Sequence, residues 1–227
     1  MRTEIARYWS ELAGVMRDMP VGQMARAAEI LLDCRDRGAT VYIFGNGGSA
    51  ATASHFACDL AKGTRTDGAV AFRVVALTDN VPLMTAWGND TAYDRIFAEQ
   101  LSPLVRPGDV VVAISASGNS PNVLTAVELA RLAGATTIAM TGQTGGRVQR
   151  LADLTIRVPA GPIEQVEDAH LAIGHSLCVA LRERMRRQHT ARTRAKRSRL
   201  ITDQALLTEV GDIIQVSPEY NADAATS

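Results

Sequence analysis

The feature that most constrains this chain is an alternation. Five short apolar runs, at 41–44, 72–77, 109–114, 136–140 and 154–158, are separated by segments of helical periodicity. Short runs that are apolar throughout read as strands buried on both faces, and strands joined by helices pair in parallel. The fold expected is α/β: a five-stranded parallel doubly wound sheet covered by helices on both faces. The helices expected between and after the strands span 49–61, 81–87, 92–104, 119–133 and 163–186, with Gly88-Asn89-Asp90 as a loop between two of them. Two more helices, 3–17 (with Ile5, Trp9, Leu12 and Met16 at helical spacing) and 21–37, precede the first strand and belong to no βαβ unit. Either they cap the sheet or their apolar stripes build a subunit interface. Residues 1–186 read as one domain and 187–227 as a basic and polar C-terminal extension. The stretch 182–199 holds nine Arg or Lys and one acid. It suits a solvated helix end or a partly mobile tail, with nucleic-acid contact as the other reading.

In a doubly wound sheet, ligands bind at the carboxyl ends of the strands. Two polar loops lie there. Gly45-Asn46-Gly47-Gly48-Ser49 follows the first strand and opens a helix, and Ser115-Ala116-Ser117-Gly118-Asn119-Ser120 follows the third. Glycines let the backbone approach a ligand closely, and the free N–H groups of a helix start attract anions. The first loop lacks the Lys of a P-loop and the third Gly of a dinucleotide fingerprint. The second offers three hydroxyls beside its backbone N–H groups, which suits a small phosphate monoester.

The chain has four histidines. His55 lies in the helix that the first loop opens, with Asp59 one turn later on the same side. Glu167, His170 and His175 fall in the long last helix, Glu167 and His175 within one broad face. Such groups can hold a divalent metal, share a proton or make a structural hydrogen bond. Composition narrows the partners. The net charge is +0, which gives no global case for nucleic acid or membrane binding. The longest apolar runs are of strand length. The first residues show no apolar signal-peptide region, and three widely spaced cysteines fit a reducing cytoplasm rather than a disulfide framework or a thiolate metal site.

Taken together, Gly45-Asn46-Gly47-Gly48-Ser49 with His55-Phe56-Ala57, Gly88-Asn89-Asp90, Ile114 to Ser120, and Thr141-Gly142 followed by Gly145-Gly146 resemble the sugar isomerase (SIS) domain family, and within it the phosphoheptose isomerases. The resemblance runs from the N-terminal helices to about Met185. It implies the SIS fold, an αβα sandwich, and conversion of sedoheptulose 7-phosphate to D-glycero-D-manno-heptose 7-phosphate in a cytoplasmic homotetramer with interfacial active sites. It places Asn46, Gly47, Gly48, Ser49, Asn89 and Asp90 at the sugar, and Ser115, Ala116, Ser117 and Ser120 at the phosphate. His55, Asp59, Glu167 and His175 become the metal cluster, with zinc as the metal, and Asp59, Glu167 and His175 the catalytic groups. Three positions depart from the family's usual residues: Asp59 stands for Glu, Glu167 for Gln and Ala116 for Thr. Asp is one methylene shorter than Glu, and a misplacement of about 1 Å can cost on the order of a hundredfold in rate. Two other functions are compatible with these departures. One is an isomerase of a different phosphosugar, and the other a non-catalytic SIS-domain regulator that binds a phosphosugar or a protein.

Overall fold

The computed structural model describes residues 1–215, with side chains as far as residue 194 except that of 192. Helices α1 (Arg2–Arg17) and α2 (Val21–Asp36) come first. They are followed by β1 (Thr40–Gly45), α3 (Gly48–Cys58), a π turn (Asp59–Gly63), β2 (Arg73–Ala76) and α4 (Val81–Asp90). A 3-10 turn (Tyr93–Arg95) and the short α5 (Ala98–Leu101) lead to β3 (Val110–Ile114) and α6 (Pro121–Leu132). Then come β4 (Thr136–Thr141), a second 3-10 turn (Val148–Arg150), β5 (Leu154–Arg157) and α7 (Ile163–Gln215). A first compact unit spans Met1–Arg184, and a second begins at Met185.

The strands form one sheet in the order β2-β1-β3-β4-β5, parallel at every pairing. This is the expected doubly wound sheet. After β1 the chain steps outward to β2, then returns to the other side of β1 for β3. That reversal opens a crevice at the carboxyl ends of β1 and β3. The apolar runs form the buried centre: Val41, Ile43, Phe44, all of β3, Ile138, Ala139 and Met140 are at most 1% exposed. One face of the sheet packs on α5 and α6 through Phe44, Phe97, Leu101, Val111 and Val127, with the rings of Phe44 and Phe97 stacked 4.9 Å apart. Helices α2 and α3 pack on the sheet through buried Ala27, Leu31, Ala53 and Phe56. At the amino ends of the strands the Asp109 carboxylate accepts the N–H groups of Thr40 and Arg106, each at 2.8 Å.

The two N-terminal helices are placed differently. α2 caps the sheet. α1 buries Leu12 and lies along the start of α7, where the Tyr8 hydroxyl donates to Asp168 and the Gln165 amide to Glu11. Its Ile5 and Trp9 stay exposed.

Three helices differ from expectation. The helix expected over 92–104 is not one element. Ala92 is extended (φ −161°, ψ 156°), a 3-10 turn follows, and only Ala98–Leu101 is α-helical. Conversely, α4 runs on through Gly88-Asn89-Asp90, expected as a loop. Its end is closed by the backbone and hydroxyl of Thr91, both donating to the Trp87 carbonyl. The last helix continues past residue 186 to Gln215. No proline interrupts the chain between Pro162 and Pro218, and the Arg-, Ala- and Leu-rich run between them favours helix. The remainder of the expected extension, 216–227, lies outside the described residues.

Candidate active site

The crevice is lined first by the turn after β1. Gly47 takes φ +55°, and α3 starts at Gly48 with Ser49 buried beneath it. The Asn46 side chain is fixed by a reciprocal amide pair. Its Nδ2 donates to Asn122 Oδ1 at 2.9 Å, and Asn122 Nδ2 donates to Asn46 Oδ1 at 2.8 Å. The Tyr93 hydroxyl donates to the same Asn46 oxygen at 3.2 Å. Glu167, from the first turns of α7, lays its carboxylate on Gly48, so that a Cβ there would stand 2.6 Å from the carboxylate carbon.

About two turns into α3, His55 faces α7. The two helices meet where Gly174 lies against the Phe56 ring, which brings the next residue, His175, to His55. The Nε2 atoms of the two imidazoles are 3.1 Å apart, and each is 3.6 Å from Asp59 Oδ2. Farther along, an Arg182 N–H of α7 donates to the carbonyl of Gly63, the last residue of the π turn, at 3.1 Å. The point equidistant from the three donor atoms lies about 2.0 Å from each, the bond length of zinc to imidazole nitrogen and carboxylate oxygen. Two imidazoles and a carboxylate, half-exposed and open on one side, are the donor set of a catalytic zinc or another borderline divalent ion. The residues therefore fit a metal. Among the described residues Glu167 falls outside this group, so the four-residue cluster expected from the sequence becomes a group of three. Nearby Cys178 is not among the three, and burial and the Asp59 charge push its thiol up to about 12. His170, the remaining histidine of this segment, is buried away from the group, and burial holds its pKa down at about 4.

The serine loop closes the other side. The Ser115 Oγ accepts the Gly118 N–H at 3.2 Å and stands 3.5 Å from the Ser120 Oγ, directly before the N-terminus of α6. The loop is held from behind by the segment after β4. Gly142 N–H donates to the Ala116 carbonyl, Val148 N–H to the Gly118 carbonyl, and Arg147 N–H to Asn119 Oδ1, each at 2.9 Å. The contact is backbone on backbone: a Cβ on Gly146 (φ +56°) would stand 2.3 Å from the Ser117 carbonyl oxygen. A turn of hydroxyls and a helix N-terminus, with no cation of its own, suits a phosphate group.

Both loops and the trio thus line the carboxyl edge of adjacent strands. Asn89 and Asp90 are exposed at the end of α4, and the hydrogen bond of their side chains is to one another, at 2.8 Å. The link from that segment to the crevice is Tyr93. Sequence reasoning missed Tyr93 and Asn122. The one signal for Asn122 was a polar residue just after Pro121, in the first turn of the helix that follows the serine loop.

The sequence model of the SIS domain matches residues 7–142. The chain is 44% identical to the phosphoheptose isomerase of Rhodospirillum rubrum over 155 residues, 68% of this chain and 82% of that one. It is 36% identical to that of Aquifex aeolicus over 180 residues, 79% and 94% of the two chains. The solved phosphoheptose isomerase of Neisseria gonorrhoeae superposes with a TM-score of 0.74 at 32% identity, covering 79% of this chain and 97% of that one. By sequence and by fold, the chain belongs to the SIS domain family.

Proposed function

We propose that this protein is an aldose–ketose isomerase that converts sedoheptulose 7-phosphate to D-glycero-D-manno-heptose 7-phosphate through an enediol. The observation that carries the reading is the trio His55, Asp59 and His175 on the same sheet edge as a phosphate-type serine loop. The named activity of its relatives agrees with it.

In this reading Ser115, Ala116, Ser117 and Ser120 hold the phosphate at the start of α6, while Asn46, Gly47, Gly48 and Ser49, with Asn89 and Asp90, orient the sugar hydroxyls. Asp59 removes the proton from the carbon beside the carbonyl. It is assigned this step because its Oδ2 faces both imidazoles, leaving its second oxygen to take the proton. His175 protonates the carbonyl oxygen, giving the enediol, and takes the proton from the neighbouring hydroxyl as the aldehyde forms. Return of a proton to the adjacent carbon completes the exchange, so no atoms are gained or lost. Glu167, lying on Gly48, is assigned to the sugar end, with abstraction by it as the alternative. A divalent ion, zinc by donor type, would be held by His55, Asp59 and His175 and would polarise the substrate oxygens.

The assembly assigned is a homotetramer with interfacial sites, supported by exposed Ile5 and Trp9 on α1. The compartment assigned is the cytoplasm, supported by three free thiols. No described helix is long and apolar enough to cross a membrane. The test is turnover of sedoheptulose 7-phosphate with zinc, with a chelator and by His175→Ala. No turnover by the unaltered protein would overturn the reading, and so would activity insensitive to His175→Ala.

A further inference from the structure

We infer that Asn122 is a positioning residue: it sets the orientation of the Asn46 amide, and with it the sugar end of the crevice, from the first turn of the helix that follows the phosphate loop. The inference deepens the isomerase reading and rests on it.

An amide side chain presents a donor on one end and an acceptor on the other, so its two flipped states offer a ligand opposite chemistry. For Asn46 the choice is fixed by a chain of bonds. The Val123 N–H, in the first turn of α6, donates to Asn122 Oδ1 at 2.9 Å. A backbone N–H can only donate, so this end of Asn122 must be the oxygen, and its nitrogen must face away. That nitrogen meets Asn46 Oδ1 at 2.8 Å, and the same Asn122 oxygen takes the Asn46 Nδ2 at 2.9 Å. Asn46 is then left with its oxygen engaged by Asn122 and Tyr93, and with one N–H beyond those used in the pair. The crevice therefore receives a hydrogen-bond donor from Asn46, suited to a sugar hydroxyl or carbonyl oxygen. Asn122 is 1% exposed, so it acts without reaching the ligand. It lies two residues after Ser120, so the same helix start that receives phosphate also orients the residue at the opposite end of the substrate.

The test is a double-mutant cycle of Asn46→Ala, Asn122→Ala and the pair, with Asn122→Ser as a variant that keeps a polar group at the helix start but is too short to reach Asn46. The readouts are kcat and KM for sedoheptulose 7-phosphate, and the inhibition constant of inorganic phosphate. A third readout, in the free protein, is solvent exchange of the Asn46 side-chain amide protons by NMR. Loss of the pair's hydrogen bonds is expected to lower kcat/KM about tenfold in Asn122→Ala and in Asn122→Ser. The phosphate constant stays within about twofold, and the double variant is no slower than Asn46→Ala. The Asn46 amide protons exchange at least about tenfold faster in Asn122→Ala, since they lose their fixed acceptor. Additive losses in the cycle overturn the proposal, and so does full activity of Asn122→Ser or a phosphate constant that moves in step with kcat/KM. Absence of turnover by the unaltered protein would defeat the isomerase reading instead. The amide exchange then decides the positioning role: faster exchange in Asn122→Ala upholds it, and unchanged exchange overturns it.

Discussion

His170 offers a direct measurement of what the interior of this protein costs in acid. It is 1% exposed in α7, and neither ring nitrogen has a hydrogen-bond partner among the described residues. Burial holds its pKa at about 4 against the ordinary 6.5; the nearby Thr141 backbone, which makes no hydrogen bond of full geometry to the ring, works the other way. A base whose pKa is depressed on folding takes up its proton more readily when unfolded. The penalty is thus absent above about pH 6.5, grows as the pH falls towards 4, and levels off below. At about 1.4 kcal/mol per pH unit, roughly 3 kcal/mol of stability should be lost at pH 4 relative to pH 7.5. His170→Leu removes both the titrating ring and its unpartnered nitrogens while keeping apolar bulk in place. The variant should be at least as stable as the parent at pH 7.5, because an unsatisfied buried polar atom costs about 1–3 kcal/mol. Its advantage should widen by about 3 kcal/mol at pH 4. Urea denaturation followed by far-ultraviolet circular dichroism at pH 7.5, 6.5, 5.5 and 4 measures both quantities, and every other titrating group cancels in the difference. A difference that stays flat with pH would refute the buried neutral imidazole. A variant several kcal/mol weaker at pH 7.5 would refute the claim that its nitrogens lack partners.

Four further outcomes are expected. His175→Ala removes one of three donors and should weaken zinc binding by at least about a hundredfold, read by competition with a chromophoric chelator, with the fold intact by circular dichroism. Gly146→Ala forces a Cβ to within 2.3 Å of the Ser117 carbonyl at a positive φ; it should cost about 1–3 kcal/mol of stability and weaken inhibition by inorganic phosphate. Gly48→Ala should leave thermal stability unchanged or slightly raised, since Ala is the better helix former. It should nevertheless lower kcat/KM by displacing the Glu167 carboxylate, an effect that disappears in a Glu167→Ala background. Asp59→Asn should lower kcat at least about a hundredfold and Glu167→Gln far less; the reverse order, in steady-state assays, would move the proton abstraction to Glu167.

The sheet was legible because its central strands are apolar throughout, as burial on both faces requires. The two loops were legible because two Gly- and Ser-rich turns, each common on its own, both lie at the carboxyl ends of strands in one sheet. His55 and Asp59 could be paired from helical spacing alone, but His175 joins them through the contact of Gly174 with Phe56, which spacing within one helix cannot foresee. The same limit explains Glu167. Its spacing from His175 allowed a shared face, whereas packing carries its carboxylate to Gly48. Asn122 was hidden because its partner lies 76 residues away. Around Gly88 local propensity misled: poor helix formers stay helical where Thr91 satisfies the terminal carbonyl, while the segment 92–104 divides, after an extended Ala92, into a 3-10 turn and a single α turn.

The contact of Arg182 with Gly63 gives the trio a mechanical character. Helix α7 is held at Gly174, beside His175, and again two turns beyond it at Arg182. Two such contacts hold the register of α7 against α3, so the positions from which the two imidazoles project belong to the frame rather than to what fills it. Loading and stripping an ion then become events of half-exposed side chains, which reorient quickly, and not of helices, which do not. The stripped protein should be a ready receptacle, its ligands already waiting at bonding distance.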